Sequence, residues 1–108
     1  MKNKLNWTLF SKKERHEAIN DLKDIIAKNH GWIVTSNFFS DLAMSMTIEI
    51  QEKDIACLHT EIGKLMTVSA LRTDDIDEQS DIEWWIFLNI NFAQGKGDLK
   101  FEIPKVPG

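Results

Sequence analysis

The chain has 108 residues, 43% of them hydrophobic and 28% charged, with a net charge of −4. That is the length of one domain, residues 1–108, able to build a core without metal or disulfide staples. The acidic balance counts against nonspecific binding to nucleic acid or anionic membrane, and the single cysteine, Cys57, excludes an intrachain disulfide and fits a reducing compartment.

Met1-Lys2-Asn3-Lys4-Leu5-Asn6-Trp7 is basic but leads into no apolar secretory segment. No window approaches the ~18 consecutive apolar residues of a membrane span. The expected location is therefore cytoplasmic, with no membrane association.

Leu5, Trp7 and Leu9 alternate with Asn6 and Thr8, the pattern of a short half-buried strand. Ser11-Lys12-Lys13-Glu14 then matches a capping box. Ala18, Ile19, Leu22, Ile25 and Ile26 recur at helical spacing, with charged residues on the opposite side. The spacing predicts a helix over 12–29, and Gly31 suits the left-handed residue just past its end. His30, near that end, reads as a favourable cap.

Residues 32–39 are β-branched and aromatic, hence a strand. Ser40-Asp41 is the expected turn. Leu42, Met44, Met46, Ile48 and Ile50 then alternate with Ala43, Ser45, Thr47 and Glu49, which predicts an antiparallel hairpin. Glu52, Lys53 and Asp54 open a second helix, whose apolar stripe is Ile55, Leu58, Ile62 and Leu65. Gly63 either sits inside that helix or ends it, and a strand is expected over about 66–72.

Residues 72–81 read as a polar acidic loop. From Ile82 the chain becomes a long strand: Ile82, Trp84, Ile86, Leu88, Ile90 and Phe92 share one face, which must be buried. Glu83, Trp85, Phe87, Asn89 and Asn91 share the other. Gln94-Gly95-Lys96-Gly97-Asp98 is a hairpin turn into a last strand, Leu99, Phe101 and Ile103. The order β-α-β-β-α-β with an extra C-terminal hairpin strand predicts an α+β two-layer sandwich of ferredoxin-like type, an antiparallel sheet with two helices on one face.

The stretch His30 to Ile50, with its glycine after the first helix and its hairpin Trp32-Ile33-Val34-Thr35-Ser36 and Leu42-Ala43-Met44-Ser45-Met46, resembles the second and third strands of an ACT domain. ACT domains commonly bind amino acids at a subunit interface, beside a glycine-bearing turn between the first strand and first helix. The corresponding turn here, Leu9-Phe10-Ser11-Lys12, lacks glycine. The resemblance thus implies a regulatory or self-associating domain more than an amino-acid site.

Reactive constellations are scarce. Cys57 and His59 lie two apart on a helix and splay, so no metal site and no cofactor is expected, and Cys57 reads as a small core residue. The acids of the loop do not follow calcium-loop spacing. Gly95-Lys96-Gly97 precedes a strand rather than the helix a phosphate loop requires. No nucleophile motif appears, and no residue set defines a reaction. RNA-binding sheets stack bases on central-strand aromatics in a basic surround. Here Trp85 and Phe87 are followed by Asn89 and Asn91 in an acidic chain, so nucleic acid is not the expected partner.

One feature outlasts these exclusions. Trp85 and Phe87 face away from the core, beside Ala43, Ser45, Asn89 and, from the first strand, Phe10. A solvated sheet face should be polar throughout. These six residues are the candidate interface, and the expected function is a non-catalytic binding or regulatory domain that self-associates through this open face, with a homo-oligomer or another protein as partner. One alternative is a small inhibitor or immunity-type factor that meets a basic partner through Asp74, Asp75, Asp77 and Glu78. Another is a small-molecule-binding protein or enzyme with its site near Trp85. A third account of the patch is cover by the chain's own C-terminal segment.

Overall fold

The computed structural model describes residues 3–71 and 76–94. In chain order these form β1 (Asn3–Glu14), α1 (Arg15–Lys28), β2 (Trp32–Ser40), β3 (Ala43–Gln51), a 3-10 turn over Glu52–Asp54, α2 (Ile55–Leu65), β4 (Thr67–Val68) and β5 (Glu83–Gln94). The last strand expected, over 99–103, lies outside the described residues. No helix among the described residues is long and apolar enough to cross a membrane.

The five strands make one sheet in the order β2-β3-β5-β1-β4. Without β5, the order β2-β3-β1-β4 is that of a ferredoxin-like sandwich, and β5 is set into its middle. The fold is the α+β two-layer arrangement expected, but the sheet is mixed rather than wholly antiparallel. β5 runs antiparallel to β3 and parallel to β1. The reason is geometric: β1 and β3 run in opposite directions, so a strand between them is parallel to one of the two.

The register sets inward residues in rows across three strands. Leu5, Ile86 and Ile48 form one row; Trp7, Leu88 and Met46 the next; Leu9, Ile90 and Met44 a third. Against these rows pack Ala18, Ile19, Leu22, Ile25 and Ile26 of α1 and Ile55, Leu58 and Ile62 of α2, forming one core cluster. Trp84 belongs to that cluster while Trp85 faces the other way, as the alternation predicts. Ile82 does not join it. β5 begins one residue later, and Ile82, 61% exposed, instead offers its carbonyl to the Glu52 N–H.

The first helix starts later than its spacing predicts. Pairing with β5 carries β1 on to Glu14, opposite Gln94, so Ser11 stays in the strand. Its buried hydroxyl accepts from the Lys13 N–H instead of capping a helix. Glu14 is the cap. Its carboxylate accepts the N–H of His16 at 2.9 Å and that of Glu17 at 3.2 Å, with the His16 ring Nδ1 at 2.9 Å. The His16 backbone bond chiefly, with those of Glu17 and the His16 ring, holds the Glu14 carboxyl below its ordinary value against a smaller opposing push from burial. A carboxyl that binds its proton less tightly when folded contributes fully above the usual glutamate range, about 4.3, and its contribution is lost as pH falls through the lower folded value. Acid unfolding of Glu14→Gln beside the parent should therefore show a shallower decline for the variant across that window.

The helix end also differs from expectation. His30, not Gly31, takes the left-handed conformation, with φ 68°. Gly31 fits for another reason: a Cβ there would lie 3.2 Å from Ile26 Cγ2 and 3.3 Å from the Glu49 carbonyl oxygen, tighter than ordinary contact. Gly31→Ala is expected to cost about 1–3 kcal/mol through that overlap, whereas His30→Gly relieves backbone strain and gains up to about 1 kcal/mol. Thermal unfolding of the two variants reads both signs.

α2 carries its stripe on Ile55, Leu58 and Ile62, while Leu65 at its end is 42% exposed. Gly63 sits inside the helix, where a Cβ would stand in ordinary contact, 3.7 Å, with Val68 Cγ1. The strand that follows shrinks to Thr67–Val68, after which Ser69 donates its N–H to the Thr8 carbonyl and its hydroxyl accepts the Thr8 N–H.

Candidate functional site: the open sheet face

Both helices bury their apolar stripes on one side of the sheet, so the other side is free of them. Its residues follow from the register. From β3 through β5 to β1 run the rows Glu49–Trp85–Lys4, Thr47–Phe87–Asn6, Ser45–Asn89–Thr8 and Ala43–Asn91–Phe10. All six candidate interface residues, Phe10, Ala43, Ser45, Trp85, Phe87 and Asn89, thus share one face of three adjoining strands. Asn6, Thr8, Asn89 and Asn91 are exposed, so among the described residues no element covers the face.

Trp85 and Phe87 are half-buried and pack edge-to-face, with ring centroids 6.4 Å apart and planes at 89°. Edge-to-face geometry sets the positive rim of one ring against the negative face of the other. The Lys4 ammonium stands 6.0 Å from the Phe87 centroid, within cation–π range. The Trp85 indole N–H is screened by its neighbours and finds no acceptor among the described residues. An unsatisfied buried donor costs about 1–3 kcal/mol. The face therefore combines an aromatic centre, an unused donor and a surround of hydroxyl and amide groups.

Trp32 extends the first row, opposite Glu49, and is 56% exposed. Sequence reasoning did not place it on this face, because 32–39 lacks a clean period of two. The cause is visible in β2, where register shifts interrupt the pairing between Ile33 and Thr35 and between Phe38 and Ser40.

Phe10 also rims an open groove of about 610 Å³ between the end of β1 and the end of α2, lined by Lys12, Lys13, Lys64, Leu65 and Val68 among others. Its basic rim is partly committed, since the Lys13 ammonium already meets Asp21 at 2.8 Å and Glu17 at 3.5 Å.

Of the acidic surface, Asp77 and Glu78 are exposed, and Asp74 and Asp75 lie outside the described residues. The loop is not merely solvated. Glu52, 5% exposed, accepts the Asp77 N–H at 2.7 Å, while the N–H groups of Glu52 and Lys53 donate to the carbonyls of Ile82 and Ser80. Ile76 packs against the core. Glu52 thus ties the lead-in of β5 to the start of α2. Glu52→Ala is expected to cost about 1–3 kcal/mol by stranding the Asp77 donor, with faster hydrogen exchange over 76–82 as the specific readout.

Cys57 is exposed rather than a core residue, because the stripe of α2 falls on its other side. Partial desolvation, then the Glu61 carboxylate 3.6 Å from its sulfur, hold the thiol above its ordinary value. That is the opposite of an activated nucleophile. His59 turns away from Cys57: its ring meets Trp7 edge-on at 5.0 Å and its Nε2 donates to the Ser69 carbonyl at 2.7 Å. His30 Nδ1 lies 3.4 Å from the Asp54 carboxylate.

No family profile, curated protein sequence or solved structure matches this chain.

Proposed function

We propose that this chain is a non-catalytic binding or regulatory domain that self-associates through its open sheet face. One observation carries the reading: an edge-to-face Trp85–Phe87 pair at the centre of a sheet face that no described element covers. Interfaces are enriched in aromatics at their centres and ringed by polar groups, and the asparagines, serine and threonines around this pair supply such a rim. The ACT-like hairpin over 30–50 supports the same reading. A two-fold axis near Phe87 sets each aromatic pair against the partner's sheet.

Light scattering at several concentrations tests the proposal. The expected result is a mass above that of one chain that falls on dilution. A single-chain mass maintained at high concentration overturns it.

A further inference from the structure

We propose a second contact between copies of this chain: β2 pairs antiparallel with β2 of another copy, joining the two sheets edge to edge. The sheet has two edges of unlike character. β4 is two residues long and offers little backbone. β2 is nine residues long, and among the described residues nothing pairs with its outer side.

Edge strands are ordinarily blunted by charge, proline, bulges, shortness or cover, and β2 carries an irregularity near each end. From Trp32 to Ser40 there is no charged residue and no proline, in a chain that is 28% charged. The two register shifts in β2 leave Thr35 to Phe38 in regular pairing. It exposes several apolar side chains: Val34 is 40% exposed, Phe38 53% and Phe39 69%, with Trp32 at the strand's start and Leu42 in the turn after it.

The choice of a second copy over a foreign strand rests on charge and on register. An uncharged strand meets no repulsion when laid against itself, and it presents no charge by which to select a charged partner. Pairing antiparallel about Ser36 within the regular stretch sets Thr35 opposite Asn37 and brings Val34, at the first register shift, beside Phe38. Val34 then meets Phe38 and Thr35 meets Asn37, and such cross-strand pairs are the unit of sheet stabilisation. Trp32, Phe38 and Phe39, each more than half exposed, have at most about 300–400 Å² per copy to bury there. That is nearly half the ~800 Å² per partner of a standard interface, before Val34, Leu42 and the backbone are counted. The pairing also merges the two open faces into one floor, with Trp32 at the seam.

This contact is separate from the open-face contact, and two substitutions in the full chain distinguish them. Val34→Lys places a charge on the edge at an exposed position and is expected to halve the particle mass with the circular dichroism unchanged. Phe39→Lys, the most exposed apolar position of the strand, repeats the test should Val34→Lys fold poorly. In a Cys57→Ser background, Ser36→Cys is expected to form a covalent dimer on mild oxidation at least tenfold faster than Lys23→Cys on the outer side of α1. Folded edge variants that keep the parent's mass, or equal crosslinking at the two cysteines, overturn the edge contact. A mass that Trp85→Glu halves and Val34→Lys leaves intact keeps the open-face reading and sinks this one; the reverse result does the opposite. A monomeric parent that dimerises only after removal of residues 95–108 hands the edge to the chain's own C-terminal segment and also overturns the proposal.

Discussion

Leu88→Ala is expected to lower the unfolding free energy by about 2–5 kcal/mol, while Asn89→Ala changes it by about 0.5 kcal/mol or less. The two residues are neighbours on the same strand, so the contrast isolates the face. Leu88 is fully buried between Trp7 of β1 and Met46 of β3, with helices over it. Truncation there removes transfer free energy and leaves a cavity among side chains that belong to three strands and cannot all collapse inward. Asn89, between Thr8 and Ser45, stands on the exposed face. Urea unfolding of the two variants measures the difference, and an unchanged slope with denaturant shows that the native state is still as compact. Were Asn89→Ala the more damaging change, the register of β5 would be off by one residue, since a one-residue slip exchanges the faces of the whole strand.

That register was legible because alternation over Trp84 to Phe92 leaves one self-consistent choice, and the same logic placed Phe10, Ala43 and Ser45 on the face opposite the core. What the alternation could not carry was pairing. The pattern of β5 marks a half-buried strand, but insertion between β1 and β3 depends on contacts far apart in the chain, and no local spacing encodes them. The same long-range pairing kept Ser11 in β1 and moved the start of α1 to Arg15, overriding a capping signal that was locally sound. In the sequence, Glu52 is one of several charged residues at a helix start. Its role as the buried acceptor for Asp77 depends on how residues 76–82 return across the 3-10 turn. β2 was the least legible strand, because its register shifts break the period that would have revealed which side chains stay exposed.

Trp85→Glu is expected to halve the particle mass while leaving the fold intact, and this variant carries the functional proposal. Trp85 is not in the core cluster. In the folded chain the new carboxylate would stand across from Lys4 on one side and Glu49 on the other. Cross-strand pairs of like or opposite charge are each worth about 0.2–1 kcal/mol, so their effects largely offset. In a dry contact the balance is different. A carboxylate desolvated against a partner's sheet, its attraction to Lys4 offset by repulsion from Glu49, costs about 3–5 kcal/mol, a weakening of the contact by roughly 10²–10⁴-fold. Sedimentation velocity beside the parent reads the mass, and circular dichroism confirms the fold. Trp85→Phe, which keeps a smaller aromatic ring and removes the unsatisfied indole N–H, should retain the parent's mass. If Trp85→Glu keeps that mass while folded, the open face is not the contact. If Trp85→Phe also loses it, the contact depends on the full area of the indole and not on the mere presence of an aromatic ring at this position.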